Sequence, residues 1–545
     1  MTAAPEPSQV RGPSHPPLLQ HTIGEVLRRT AREFPDHEAV VECWSGRRWT
    51  YHDLLAEAEA LARGLLLDGV AKGDRVGVWS PNSAEWIITQ YATALVGAIL
   101  VPVNPAYRAS EMTHVVRQSG MSALVTAAEY KGSVYPDLVR DVSARCPRLR
   151  WTVVAGGDEW HELLRRGRTA GAGPLAEAER RCAPADAINI QYTSGTSGLP
   201  KGATLTHQGL LNNARDVGAA LGYDESDRLC LSVPLFHCFG MVLGSLACLT
   251  AGAAVVLPSP GFEAPAALEA TERERCTSQY GVPTMFLAQV ADPGFARYDL
   301  SSLRTGLMAG APCPPSLLHE VVTRMGVAEI TTSYGLTEAS PTVVQSPRTA
   351  PPARRFATAG TPLPHVEVKV TDTESGRILP RGDVGEICVR GYLVMRGYWE
   401  QPEQTAAVID EEGWLHTGDL GTVTPQGCLA VTGRISDMVI RGGENVYPRE
   451  VEDCLLQHPD VVEVAVVGVP DANYGEQVMA WIRQRPGSRP LDAPAVREFC
   501  AGRIAHYKIP RYVRHTAEFP TTANGKIRKV ALREAAEADQ PEQGG

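Results

Sequence analysis

Between Asp74 and Val103 the chain reads as a strand (Asp74 to Trp79), a helix (Pro81 to Val96, with Asn82 and Ser83 able to cap its start) and a second strand (Ala98 to Val103). Strands that alternate with helices of this length pair side by side through βαβ crossovers, which commits the chain to an α/β fold on parallel sheets. The alternation resumes at Ala123 and runs to Gly310. Ahead of it, Ile23, Val26, Leu27, Ala31 and Phe34 recur at helical spacing, and Ala39 to Glu42 with Arg48 to Tyr51 alternates like a hairpin. A chain of 545 residues exceeds what one hydrophobic core serves, so at least two domains are expected.

From Ala359 to Val431 the runs shorten and are punctuated by Arg381-Gly382-Asp383 and Pro425-Gln426-Gly427, the pattern of a small antiparallel, barrel-like subdomain. From Ser436 the sequence predicts a compact α+β unit: a helix from Arg449 to His458, an apolar strand from Val461 to Val469, and a helix from Pro494 to Ile504 with Asp492 as its cap. The reading is therefore a disordered tail over 1–20, a large N-terminal domain over 21–435, a mobile C-terminal domain over 436–534 and a frayed end over 535–545.

A net charge of −10 argues against nucleic acid or an anionic membrane as a general partner. The twelve cysteines form no Cys-x-x-Cys pair, so they read as small core residues of a reducing cytoplasm, with the spacing of neither a zinc site nor a disulfide scaffold. Leu229 to Phe262 lacks Asp, Glu, Lys and Arg, but Pro234, His237, Gly240, Gly244 and Gly252 break it below the roughly 20 apolar residues of a spanning helix. It reads instead as a strand (Arg228 to Val233), a buried helix (Met241 to Thr250) and another strand (Ala253 to Leu257).

The chemistry concentrates in Thr193-Ser194-Gly195-Thr196-Ser197-Gly198-Leu199-Pro200-Lys201, which follows the apolar Ala187-Ile188-Asn189-Ile190. Glycines let backbone N–H groups converge, four hydroxyls add donors, and a lysine adds charge, a combination suited to a polyphosphate. A Walker loop needs Gly-Lys-Ser/Thr, and here Lys201 follows Pro200. Downstream, Ser333-Tyr334-Gly335-Leu336-Thr337-Glu338 sets hydroxyls and a carboxylate beside a glycine turn, able to hold a phosphate oxygen and a hard cation such as Mg²⁺ together; a plain helix start is the alternative. In Thr417-Gly418-Asp419 the carboxylate can accept from two ribose hydroxyls, or else form a structural pair. The double glycine of Arg441-Gly442-Gly443-Glu444 lets backbone approach a narrow ligand arm, and Asn524-Gly525 projects Lys526 from a turn.

In this order, over roughly Ile23 to Arg533, the motifs resemble those of the adenylate-forming superfamily, most closely acyl-CoA synthetases of fatty-acid type. The resemblance implies that Thr193 to Lys201 is the phosphate loop and that Gly310, Ala311 and Pro312 form an adenine-binding turn. It further implies that Tyr334 stacks near adenine beside Ser333 and Gly335, that Thr337 contacts phosphate and that Glu338 binds Mg²⁺. Asp419 would hold the ribose with Arg434 as its partner, and Lys526 would bridge the substrate carboxylate and the α-phosphate. Arg441, Gly442, Gly443 and Glu444 would line the CoA channel, while His237, Tyr280 and Gly281 would border the acyl pocket, His237 being equally readable as a core histidine. Ser436 stands where relatives carry Asp or Lys at the interdomain pivot.

The implied reaction joins an apolar carboxylic acid, of medium or long chain, to AMP from ATP and then to CoA, with Mg²⁺ and no tightly bound cofactor, in the cytoplasm. Open alternatives are a bulky polycyclic or aromatic acid, an acyl-AMP ligase that loads a carrier protein, a luciferase-like oxidase and a non-catalytic adenylate binder.

Overall fold

The computed structural model describes residues 6–193, 200–442, 444–471, 473–521 and 527–538. By their internal contacts the residues fall into two compact units. One comprises Val10–Val368 with Val389–Leu415, the other Met1–Gln9, Lys369–Cys388 and His416–Gly545.

The larger unit is built on two sheets. In the first, Gly397–Tyr398, Lys201–Thr206, Ala187–Thr193, Ile99–Val103, Arg75–Trp79, Ala123–Thr126 and Trp151–Val154 lie side by side. The strands from Arg75–Trp79 outward pair in parallel, as the alternation predicts. The helix between its first two strands, Ala84–Val96, starts on Ser83, whose side chain accepts from the Trp86 N–H. Asn82 does not cap it. Its amide donates to the Val233 carbonyl and accepts from the Leu235 N–H, clamping a distant segment.

The second sheet has nine strands. Its parallel centre runs Glu329–Gly335, Thr305–Met308, Ser278–Gly281, Arg228–Leu231, Ala254–Leu257 and Glu38–Glu42, with the hairpin strand Arg47–Thr50 at one edge. The uncharged stretch after Arg228 forms a strand, a short α-helical turn Cys238–Gly240, a π-helical turn Met241–Leu246, the helix Ala247–Ala251 and the strand Ala254–Leu257. It is core: Met241 to Leu249 is buried throughout. Among the described residues no helix is long and apolar enough to cross a membrane. The strand Ser278–Gly281 stops there because Pro283, with its fixed φ and missing N–H, opens the helix Pro283–Val290.

The short runs after Ala359 give a five-stranded sheet in the order Gln9–Arg11, Val366–Thr371, Gly385–Gly391, Leu415–Val423 and Leu429–Arg434. Its first strand corrects the expected N-terminal tail. Ser8 is buried, its backbone N–H donates to the Leu379 carbonyl and its hydroxyl to that of Pro380, so backbone pairing orders a segment whose composition lacks apolar drive. The C-terminal residues form a separate sheet, Glu444–Val446, Val439–Arg441, Gly475–Gln484 and Val461–Asp471, with Tyr512–His515 also paired to Gly475–Gln484. Helices Pro448–Leu455 and Ala493–Cys500 cover it, the second capped by Asp492 as expected. The last helix, Lys529–Ala538, extends into the expected frayed end because Ala536 packs with Leu532 against Val467 and Val469.

Candidate functional site

The phosphate-loop candidate springs from a hairpin. Ala187–Thr193 and Lys201–Thr206 pair antiparallel, and the last matched pair is Thr193 with Lys201. Ile188, Ile190, Ala203 and Leu205 are buried, each contributing about 1.5–3 kcal/mol for the larger side chains, so the loop's two ends are fixed by core packing. Gly202 is needed there because a Cβ would lie 2.6 Å from Ile190 Cγ2. Ser194, Gly195, Thr196, Ser197, Gly198 and Leu199 lie outside the described residues, and Pro200 is half-buried.

Lys201 carries its ammonium 5.1 Å from the ring centroid of Tyr398. The Tyr398 hydroxyl donates to Glu338 Oε1 at 2.9 Å. Burial, followed by the Glu338 charge, drives the Tyr398 phenol well above its ordinary range, so it stays protonated as a donor. Glu338 sits in a single 3₁₀ turn, Thr337–Ala339, right after the Glu329–Gly335 strand. Two bonds hold this turn: the Met395 N–H donates to the Glu338 carbonyl at 2.8 Å, and Ser340 Oγ donates to the Leu393 carbonyl at 2.7 Å. Gly335 admits no side chain, since a Cβ would lie 1.9 Å from the Pro341 carbonyl oxygen.

The nine-stranded sheet gathers the other stations of this unit. Leu231 is in register with Tyr280, Gly281 with Met308 and Met308 with Thr332. The segments leaving those strands, with His237, Gly281, Gly310 to Pro312 and Ser333 to Glu338, therefore emerge at the same carboxyl edge, where parallel sheets bind ligands. Gly310 is exposed and left-handed (φ 84°), Ala311 is half-buried and Pro312 exposed, while the Cys313 thiol closes the turn by donating to the Met308 and Ala311 carbonyls. His237 Nδ1 accepts from the Phe239 N–H and starts the helical segment behind it. Tyr280 is fully buried between Tyr223 and Phe239, ring centroids 6.4 and 5.6 Å away. Thr337 is buried, and the adjacent Cys238 thiol is pushed up to about 12 by burial, with the Thr337 hydroxyl opposing and Glu338 adding to the rise.

Asp419 and Arg434 belong to the other unit. They face each other across the antiparallel strands Leu415–Val423 and Leu429–Arg434, and Arg434 Nε donates to Asp419 Oδ1 at 2.8 Å. The Asp419 side chain is 7% exposed and that of Arg434 50%. In the C-terminal sheet Arg441 and Glu444 close the tip of a hairpin, with Gly442 left-handed at φ 60°. Arg441 is engaged within its own unit: Nε donates to Gln477 Oε1, Nη1 to the Tyr507 carbonyl, and the guanidinium lies 4.6 Å over Tyr474. Glu444 is exposed; Gly443 and Lys526 lie outside the described residues.

Residues 27–399 match the profile of the AMP-binding enzyme family, and residues 450–526 that of the AMP-binding enzyme C-terminal domain. The chain belongs to the AMP-binding enzyme family. It is a ligase of acyl-CoA synthetase type, and its α/β fold is that of adenylate-forming enzymes. YngI of Bacillus subtilis (strain 168) is 42% identical over 95% of this chain and 97% of its own. The mitochondrial medium-chain acyl-CoA ligase ACSF2 of Danio rerio is 39% identical over 97% and 91%. The anthranilate CoA ligase AuaEII, solved with anthranoyl-AMP, superposes with a TM-score of 0.85 at 30% identity, covering 95% of this chain and 98% of that one.

For an AMP-binding enzyme, the sequence reading missed two neighbours of Glu338. Tyr398 lies in the two-residue strand Gly397–Tyr398, which has no periodic signal, and only its pairing with Ala203 brings it to the hairpin. Cys238 passed for an ordinary core cysteine; its nearness to Thr337 depends on strand order, which spacing does not reveal.

Proposed function

We propose that this enzyme activates an apolar, medium-chain carboxylic acid in two half-reactions. A carboxylate oxygen of the acid attacks the α-phosphorus of ATP and pyrophosphate leaves; the CoA thiolate then attacks the acyl carbonyl and AMP leaves. The observation that carries the reading is the convergence of Lys201 and Glu338 on Tyr398. A phosphate-loop cation and a carboxylate, from two different sheets, meet on one phenol. Chemistry of this kind depends on positioning and charge stabilisation more than on covalent steps, and those groups supply both signs of charge.

Glu338 suits Mg²⁺ by its chemistry: a hard carboxylate whose hydrogen-bond partner is a neutral phenol, so its charge is not spent on a fixed cation there. Bound there, the ion would offset phosphate charge. Thr193 to Lys201 grips the phosphates, Gly310 to Pro312 and Tyr334 receive the adenine, and Asp419 accepts from the ribose hydroxyls. Lys526 acts in the first half-reaction and the Arg441 to Glu444 segment in the second. The medium-chain assignment draws on the likeness to ACSF2. An aromatic acid is the second reading, favoured by the likeness to AuaEII.

The test is pyrophosphate release over a panel of fatty and aromatic acids, with CoA, with a carrier protein and with neither. Highest kcat/KM for a fatty acid of medium length, with a thioester formed on CoA, is the expected result. Aromatic preference supports the second reading. Thioester formed on the carrier alone, or no release with any acid, overturns the proposal.

A further inference from the structure

Cysteine spacing gives no hint of a metal site, yet three ligand types converge in the five-stranded sheet. Glu386 and Cys388 are two apart on the Gly385–Gly391 strand and so share one face; His416 comes from the neighbouring Leu415–Val423 strand. Their donor atoms all lie within 4.8 Å of one another. His416 Nδ1 is 2.8 Å from Glu386 Oε2 and 3.5 Å from Cys388 Sγ.

Both contacts fall on the same ring nitrogen. A nucleophile–base–carboxylate relay would use opposite nitrogens, so the arrangement is not that of a catalytic triad. The thiol also lies 4.0 Å from the Glu386 carbonyl. A cation at the common centre would be met by a carboxylate oxygen, a thiolate sulfur and a ring nitrogen at once. Ligands held about 2.0–2.3 Å from a tetrahedral Zn²⁺ stand about 3.3–3.6 Å apart. The nitrogen–sulfur distance already matches, and the nitrogen–oxygen distance has to open by about half an ångström to do so.

We propose that Glu386, Cys388 and His416 form a binding site for a divalent transition-metal ion of zinc type, distinct from the Mg²⁺ assigned to Glu338. Thiolate and imidazole with one carboxylate select Zn²⁺ or Co²⁺ over Mg²⁺, and water completes the fourth position. Cys388 is fully buried and the Glu386 side chain only 15% exposed, so the site is open chiefly past His416. Its surroundings supply the outer bonds such a site needs: the Thr371 hydroxyl lies 3.5 Å from the sulfur, and Glu386 Oε1 accepts from the Gly418 N–H at 3.1 Å. With the metal on Oε2, that second bond persists, and the ion pins the strand entering Thr417-Gly418-Asp419.

The experiment uses the full chain, stripped with a chelator and titrated with Co²⁺ and then Zn²⁺. One equivalent of Co²⁺ should give a thiolate-to-cobalt charge-transfer band that Zn²⁺ abolishes. Cys388→Ser should lose the band, and both it and His416→Asn should bind at least tenfold more weakly, while Cys454→Ser, altered on the helix Pro448–Leu455, keeps wild-type binding. X-ray absorption of the zinc-loaded wild-type chain, which needs no variant to fold, should show one sulfur near 2.3 Å beside nitrogen and oxygen near 2.0 Å. Binding that survives Cys388→Ser unchanged, a coordination shell without sulfur, or no binding at micromolar metal overturns the proposal.

Discussion

Two carboxylates, one in each compact unit, are handled in opposite ways. Glu338 meets a neutral partner, the Tyr398 phenol, and its turn is held through backbone bonds that leave the charge alone. Asp419 meets a guanidinium, Arg434, directly across a strand pair and is nearly buried. In the proposed function the first is the acid that holds a mobile cation, and the second, paired with Arg434, is the one that offers lone pairs to hydroxyls. Type of partner, more than depth of burial, separates the two proposed roles.

The contrast is tested most severely by swapping each carboxylate for its amide. Glu338→Gln keeps shape and removes charge, so kcat for pyrophosphate release should fall about 100- to 1,000-fold, the size of losing one electrostatic stabiliser, with the Mg²⁺ requirement shifted upward. Asp419→Asn keeps a hydrogen-bond acceptor but loses the charge that strengthens its bonds, about 1.5–3 kcal/mol, so KM for ATP should rise about 10- to 100-fold with kcat less affected. If the amide at 419 proves the more damaging to kcat, the distinction between the two acids collapses.

A test of comparable energy addresses the scaffold under Glu338. His207, at the start of the helix after the phosphate-loop hairpin, is lowered from 6.5 to about 4, chiefly by burial, with Asp186 opposing and Lys72 assisting. The folded chain holds it neutral while the unfolded chain takes up a proton below about pH 6.5, so its contribution, about 3 kcal/mol, is present above that pH and lost as pH falls toward about 4. Unfolding midpoints should therefore drop more steeply over this window in the wild type than in His207→Gln. Smallest is Tyr398→Phe, which deletes one hydrogen bond worth about 0.5–1.5 kcal/mol and should lower kcat/KM about 2- to 10-fold. No loss would mean that Glu338 is positioned by its turn alone.

Much of this was legible in the residues. The strand–helix–strand from Asp74 to Val103 appears within a residue or two at most boundaries, since periodicity and caps such as Ser83 act locally. The two sheets could not be ordered from sequence, and neither could Tyr398 be brought to Glu338, because both depend on pairing between distant segments. The N-terminal strand Gln9–Arg11 escaped for a related reason: its stability lies in backbone bonds, which composition does not record. Arg441 shows the converse. Its glycine-flanked motif read as a ligand channel, and in the folded unit its guanidinium is also a structural brace for Gln477 and Tyr507.

The matched pair Thr193–Lys201 has a practical corollary for anyone redesigning nucleotide preference. Residues can be added or removed between those two positions without altering the parity of either strand. A single insertion after Lys201 would instead slide Ala203 and Leu205 out of their row and bring Gly202 and Thr204 into it, turning the strand inside out. The chain thus separates an editable segment from an uneditable one at a boundary one residue wide.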